Sequence, residues 1–503
     1  MSVKILSAAV VGLEAKLVEV EADIARGLPR LPIVGLPDMA VQEARDRVRS
    51  GISNSGVDFP PGVVTVNLAP ANLKKEGSHY DLPIAVAILL AGGIVSESNL
   101  VDSVFMGELS LDGSVRPVNG VLSVALLVKQ KKFRSIYVPR SNAAEAALVS
   151  SIKVFPVDNL AQLIDHLNGI HYLKFCSGRS LPRVEMFSDQ NDFSLIKGQE
   201  QSKRAMEIAA AGGHNLLMTG PPGSGKTMLA KAMPSILPAM SLDESLEVTK
   251  IYSIAGLLSP EVPLLRQRPF RSPHHTTSSV ALVGGGSFPK PGEISLAHRG
   301  VLFLDEFSEF SRHVLESLRQ PLEDGVITVS RAAGSIQYPA RFILIASQNP
   351  CPCGFLNDPR RSCTCSPTQI IKYQKRISGP LLDRIDLHLS VPRQDYSKVS
   401  GSGKMETSAT VRQRVKKARL IQMRRFSGRG IYVNAEMSAV CLENFCQAEP
   451  RALELIKQAV NQLYLSGRAY HRLLKVSRTI ADLGDSEKIT AEHVAEALQY
   501  RAQ

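Results

Sequence analysis

The sequence predicts a multidomain α/β chain. An α+β domain covers residues 1–172, a linker 173–193, a core with a parallel sheet 194–395, and a helical domain 396–503. Three observations predict it. In the first third, short β-branched runs (Val63–Leu68, Val104–Leu109, Ser135–Val138) alternate with apolar helical patterns such as Leu82–Leu90. In the middle, the apolar runs His214–Thr219, Val301–Leu304 and Phe342–Asn349 have the length and composition of buried strands. Residues 396–408 are rich in Ser, Gly and Lys and read as a loop, and from 409 onward the pattern is helical throughout.

Bulk properties frame the function. The 44% hydrophobic and 21% charged composition over 503 residues is that of an ordinary soluble protein with ample core. A net charge of +12 argues, modestly by itself, for a polyanionic partner such as nucleic acid. The N-terminal apolar stretch is short and followed at once by Glu14, unlike a signal peptide. The longest apolar run, Ile84–Val95, falls short of the roughly 20 residues of a spanning helix. A cytoplasmic protein without a membrane partner is expected, and its seven cysteines do not suggest a disulfide scaffold there.

The most informative motif is Gly220-Pro221-Pro222-Gly223-Ser224-Gly225-Lys226-Thr227. It fits the phosphate-cradling loop of P-loop nucleotidases, and it falls between a strand and the helical opening Met228–Met233. Glycines let backbone N–H groups face a triphosphate, and the next helix adds its positive end. Lys226 is placed for the β and γ phosphates of ATP, and the Thr227 hydroxyl for Mg²⁺. The strand Val301–Leu304 ends in Asp305 and Glu306. Asp305 is placed to hold the hard Mg²⁺ cation, and Glu306 to orient or deprotonate the attacking water. Asn349, at the end of the next strand, can hydrogen-bond that water or the γ-phosphate.

With these strands in order the chain resembles an AAA+ ATPase. The stretches Arg268–Thr277, Val283–Gly286, Pro291–His298 and Asn349–Gly354 narrow the resemblance to magnesium-chelatase-like AAA+ proteins of the ComM/YifB type, and it covers essentially the whole chain. The resemblance implies a homo-hexameric ring. It places Arg384, in Leu381–Asp386, as an arginine finger on a neighbouring subunit's γ-phosphate. The bare alternative is a helix-surface arginine paired with Asp383 or Asp386. Arg468 or Arg472 falls where the second nucleotide sensor is expected, and Ile196–Gln199 (with Ile196 and Gln199) near the adenine. Two features would face a central pore: the insert with His274, His275 and Gly284–Lys290, and a hairpin, Gly325–Arg331 with Ser335–Arg341. Lys290 and Arg331 could then follow a phosphate backbone without reading bases. Loop packing is the plain reading of His274 and His275.

Cys351, Cys353, Cys363 and Cys365 fall within 351–365. Four thiolates suit a structural Zn²⁺, although C-x-C spacing is tighter than usual; reduced free thiols and a redox pair are the other readings. Cys176, Cys441 and Cys446 read as ordinary thiols. Arg360 and Arg361 in the knuckle could touch DNA. Val411–Gly430 carries eight Arg and Lys residues and no acid, with Val411, Val415, Ala418 and Ile421 forming an apolar face. The other face, including Arg414 and Lys417, is either a solvated surface or a phosphate contact.

In the N-terminal domain, Gly107–Gly120 and Lys75–Ala85 resemble the Lon protease domain, which implies a ribosomal protein S5 domain 2-like fold. The positions matching the Ser-Lys dyad are Ile84 and Leu122. Neither supplies a hydroxyl or an amine, so no peptidase activity is expected. The resemblance implies an ATP-driven motor on single-stranded and branched DNA, a helicase or branch-migration factor in recombination during natural transformation, with recombinase and other recombination proteins as partners. A magnesium-chelatase motor subunit and a protein remodeller are the rivals.

Overall fold

The computed structural model describes residues 2–97, 100–176, 191–286, 290–331, 334–393 and 405–501, with backbone only for Arg331 and Gly334. It divides into two units, Met1–Arg183 with Leu242–Leu265, and Val184–Ser241 with Arg266–Gln503.

The first unit is built on a seven-stranded mixed sheet. Its order is Ile33–Val34, Val63–Ala69, Glu14–Ala25, Val3–Val11, Ser103–Phe105, Ser135–Pro139 and Lys153–Val157. Alternation along Val3–Val11 sends Ile5 and Ala9 into one core and Ala8 into the other. Helices Met39–Asn54, Asp81–Ala91 and Leu160–Leu167 cover the first face, and Val121–Gln130 and Arg140–Ala146 the second. Asp81–Ala91 is apolar around its whole circumference, and Leu82 to Leu89 are accordingly all buried.

Ile84 lies in the first core and Leu122 in the second, so the sheet stands between them. The two positions matched to a Ser-Lys dyad do not meet in one site.

Three sequence expectations need correction here. Helix Leu242–Ala255, placed by sequence in the P-loop core, belongs to the first unit. Its Ser253 hydroxyl accepts the Gly120 N–H at 3.0 Å and donates to the Glu145 carboxylate, and Leu246 packs on the same face. The expected strand Val104–Leu109 is broken at Gly107, where the Val115 side chain leaves no room for a Cβ, and Glu108–Leu109 turns away to pair with Val115–Arg116. The expected linker begins late, since the Cys176 N–H bonds the Val154 carbonyl at 2.8 Å; residues 177–190 of that linker lie outside the described residues.

The second unit carries a five-stranded sheet ordered Phe270–Arg271, Val301–Leu304, Ile343–Gln348, Leu216–Thr219 and Leu387–Ser390. Every pairing in it is parallel, and Val301–Leu304 and Ile343–Ala346 are buried, as their apolar runs require. At its amino-terminal edge, the Asn215 side chain accepts the Leu344 N–H at 2.9 Å and donates to the Arg384 carbonyl at 3.1 Å, pinning three strands in register. The C-terminal helices share this core: Val415, Leu473 and Ile480 pack with Ala209 and Met233, rather than forming a core of their own.

Helix Ser408–Arg425 is capped by Thr407 and buries Val411, Val415, Ala418 and Gln422. Gln422 takes the place expected of Ile421, because its amide donates to the Ala211 carbonyl at 3.1 Å and accepts the Asn434 N–H at 3.0 Å. Asp482 gathers Arg425, Arg478 and Asn434 in the interior, with Arg425 at 2.8 Å and Asn434 at 2.8 Å. Among the described residues no helix is long and apolar enough to cross a membrane. Asp482→Ala would leave two buried guanidiniums uncompensated. Urea denaturation should then show a loss of about 3–5 kcal/mol from the transition of this unit, and a loss under ~1 kcal/mol would contradict the assignment.

Candidate active site

Leu216–Thr219 delivers the chain into the 220–225 loop and then into helix Lys226–Ile236. Gly220 must be glycine, since a Cβ there would sit 2.2 Å from the Val391 carbonyl oxygen. At Gly223, with φ 75°, a Cβ would meet nothing within 4 Å, so the loop's outer face is open to a ligand. The Ser224 hydroxyl is buried with no hydrogen-bond partner among the described residues. A loop open on its outer face, an unpartnered hydroxyl and a helix N-terminus together fit a triphosphate. The Lys226 ammonium donates to the Gly220 and Pro221 carbonyls at 2.7 and 3.0 Å and reaches Asn349 Oδ1 at 3.4 Å. Burial lowers its pKa, partly offset by the charge of Asp305. Gln199 braces the loop from the side, donating to the Ser224 carbonyl at 2.7 Å. Ile196 is buried in the core beneath it.

The acids sit at the carboxyl end of Val301–Leu304. Asp305 accepts from the Thr227 hydroxyl at 2.9 Å, from the Glu306 N–H at 3.0 Å and from the Ser347 hydroxyl. Thr227 and Asp305 are therefore already adjacent, as two oxygen ligands of one Mg²⁺ must be. Glu306 has φ 52°, and its carboxylate is half-exposed. Its Oε2 lies 3.1 Å from His275 Nδ1. The sequence placed His275 at a pore. The structure places it against the carboxylate assigned to the attacking water, while His274 bonds Thr276 Oγ1 at 2.9 Å. The sequence reading missed this contact and Ser347. Ser347 sits two residues before Asn349, and its alternation with Gln348 is the only local signal for it.

The arginines occupy the opposite edge of the sheet. Arg384 precedes Leu387–Ser390, whereas the loop follows Leu216–Thr219, and those two strands are parallel neighbours. Four strand residues at about 3.3 Å each separate the two edges by roughly 13 Å. Arg384 pairs with Glu323, not with Asp383 or Asp386, and donates to the Pro380 carbonyl at 2.7 Å. Its guanidinium holds Glu323 below the usual carboxylate range. Arg468 approaches the same Glu323 at 3.3 Å. Arg472 lies 3.4 Å from Asp386, whose other oxygen faces His214 at 3.2 Å. Burial pushes the Asp386 carboxyl up, but the His214 hydrogen bond and the nearby cations outweigh it and leave its pKa lowered.

Comparison with known proteins fits this geometry. Residues 192–399 match the family described as magnesium chelatase, subunit ChlI; residues 20–142 match subunit ChlI of Mg-chelatase; residues 405–501 match the C-terminal part of subunit ChlI. The chain is 46% identical over 503 residues to the competence protein ComM of Haemophilus influenzae, covering 99% of this chain and 97% of that protein. It is 46% identical over 498 residues to the Escherichia coli protein YifB, covering 98% and 96%. The chain belongs to the ComM/YifB family of magnesium-chelatase-like AAA+ proteins. A more distant relative, the magnesium-chelatase 38 kDa subunit of Cereibacter sphaeroides, is 29% identical over 174 residues, covering 31% of this chain and 52% of that subunit.

In this ComM/YifB chain the residues suggested as DNA contacts fare unevenly. Lys290 is exposed on the short insert hairpin Gly284–Gly285 with Lys290–Pro291, whose tip, 287–289, lies outside the described residues. The second hairpin pairs Val326–Arg331 with Gly334–Pro339; the Arg331 side chain and residues 332–333 lie outside the description. Arg360 and Arg361 are exposed, the latter 5.3 Å over the Phe355 ring. Arg414 and Lys417, expected on a solvated or phosphate-contacting face, stay part-exposed and each meets an acid. Arg414 pairs with Glu207 and Glu406, and Lys417 with Asp485 at 2.8 Å. Glu207, Glu406 and Asp485, all outside the helix, meet a helix that carries no acid.

The four knuckle thiols do converge, their sulfurs all within 4.8 Å of one another. Cys351 Sγ lies 3.4 Å from Cys353 and 3.7 Å from Cys363, and Cys353 lies 3.6 Å from Cys363. A tetrahedron with Zn–S bonds of ~2.3 Å has edges of about 3.8 Å, so the donor set fits zinc. Backbone N–H groups of Phe355 and Thr364 lower the pKa of the Cys353 thiol, while burial and the neighbouring sulfurs raise those of Cys363 and Cys365, so the zinc fit rests on the sulfur geometry.

Ser347→Ala removes a donor that orients Asp305. Magnesium titrations of ATP turnover should show an apparent Mg²⁺ affinity about 10–100-fold weaker, with the fold intact by circular dichroism. An unchanged titration would mean that Ser347 does not orient the metal ligand.

Proposed function

We propose that this chain hydrolyses ATP within a homo-hexameric ring and uses the hydrolysis to move along single-stranded and branched DNA. On this reading it is a helicase or branch-migration factor in homologous recombination during natural transformation, working in the cytoplasm with recombinase and other recombination proteins. One observation carries the ring. Glu306, Asn349, Lys226 and Thr227 gather at one edge of the parallel sheet, while Arg384, Arg468 and Arg472 gather at the other. An arginine on the far edge can reach a γ-phosphate only in another copy, as a ring supplies. The DNA reading draws on the near full-length likeness to a competence protein and on the +12 charge.

In this mechanism the loop 220–227 wraps the triphosphate and Lys226 neutralises it. Mg²⁺, when bound, would be held by Thr227 and Asp305 and would offset charge on the transferring phosphoryl group. Glu306 orients the attacking water and accepts its proton, while Asn349 fixes the γ-phosphate side. Arg384 from the adjacent subunit, with Arg468 or Arg472 as second sensor, stabilises the charge of the transition state. Cys351, Cys353, Cys363 and Cys365 hold a structural Zn²⁺. Residues 1–172 form a Lon-like domain without peptidase chemistry.

A chelatase-type motor is the weaker reading, because the likeness to a magnesium-chelatase subunit covers only 31% of this chain. For a protein remodeller an exposed aromatic would be expected on the pore hairpin, yet Tyr338 is fully buried at its base. The deciding experiment measures ATP turnover with and without single-stranded DNA, then strand exchange on a labelled four-way junction. DNA should raise turnover and the wild-type protein should resolve the junction into duplex products. Glu306→Gln should bind both ATP and DNA and resolve none. Turnover indifferent to DNA, with no DNA binding, contradicts the proposal.

A further inference from the structure

We infer that the four-cysteine knuckle is a brace for the ATP pocket. Closing the cluster on a metal ion seats its backbone against the phosphate loop and holds Asn349 within reach of Lys226. Nucleotide affinity then depends on a metal that never touches nucleotide. The inference rests on the zinc reading of the cluster given above.

Three observations carry it. First, Asn349 stands two residues before Cys351, which is fully buried. A shift of that thiol moves the amide that meets Lys226. Second, Gly354, with φ 82°, lies directly against the loop. A Cβ there would come 2.6 Å from Pro222 Cδ and 3.8 Å from Asn349 Cγ. Third, Arg393 joins knuckle and loop from the end of strand Leu387–Ser390. It donates to the Pro222 carbonyl at 3.4 Å, lies 3.3 Å from Asp358, and stacks 5.5 Å over the Phe355 ring. Asp358 is itself fixed by the N–H groups of Arg360 at 2.8 Å and Arg361 at 3.1 Å.

The physical need is plain. No helix or strand lies between Gln348 and Pro367, so the knuckle has no ladder of its own to fix its shape. A metal cross-link between 351–353 and 363–365 removes the freedom of that loop. Without it, four sulfurs within 4.8 Å of one another hold together only weakly, and the Gly354 and Arg393 contacts lose their anchor.

The test uses the full chain. Elemental analysis of purified protein should give one zinc per chain. Dialysis against a strong chelator, followed by return of Mg²⁺ alone, should leave far-UV circular dichroism unchanged. The affinity for a fluorescent ATP analogue should nonetheless weaken about tenfold, and added zinc should restore it. Gly354→Ala should keep its zinc and yet lose nucleotide affinity, because the added methyl presses the knuckle off Pro222. Folded protein without metal overturns the zinc reading itself. Zinc-bearing protein whose nucleotide affinity is indifferent both to stripping and to Gly354→Ala overturns the brace alone.

Discussion

The parallel register of Leu216–Thr219 with Ile343–Gln348 and Leu387–Ser390 is the constraint on which the rest of the site depends. Parallel strands send all their carboxyl ends out of one edge, so Gly220, Asp305 and Asn349 converge however far apart they lie in sequence. The same register forces residues that precede a strand out of the opposite edge. Arg384 and Asp386 precede Leu387, and they emerge where Asn215 begins its own strand. Asn215 therefore has an importance its sequence position does not suggest. Its side chain joins the chain before Leu387 to the strand that leads into Asn349. A slip there would move the Asn349 amide relative to Lys226.

The chemistry of the pocket was legible because its signals are local. The P-loop needs glycines and a lysine within eight residues, and the acids need only an apolar strand before them. What the sequence concealed depends on tertiary neighbours. Ser347 looks like any strand serine until the Asp305 carboxylate stands beside it. His275 belongs to an insert whose resemblance suggested a pore, and its ring instead meets Glu306. Helix Leu242–Ala255 follows the P-loop helix without a composition break, so only its packing shows that it belongs to the first unit. Ile84 and Leu122 could be matched to a dyad one at a time, but the face each occupies follows from strand alternation in Val3–Val11.

Charge was the least transferable signal. The run of cations in Ser408–Arg425 suggested either a solvated face or a polyanion contact. Pairing in space offsets much of that charge: Arg414 reaches Glu207 and Glu406, Lys417 reaches Asp485, and Arg425 reaches Asp482. A helix without acids can still be neutralised by acids from elements packed beside it. Lys290 and the Arg360–Arg361 pair keep exposed positions, on an insert hairpin and a knuckle that both belong to the AAA+ unit.

The central claim is that each hydrolytic site is completed by an arginine from another copy. Mixing two variants, each defective in a different half of the site, tests it most directly. Lys226→Ala lacks a working loop but keeps Arg384; Arg384→Ala keeps the loop but lacks the arginine. Each alone should be nearly inactive. Mixed rings should regain ATP turnover, because a loop of one variant then faces the arginine of the other. Full turnover by Arg384→Ala alone, or a mixture as inactive as its components at every ratio, would contradict a shared site.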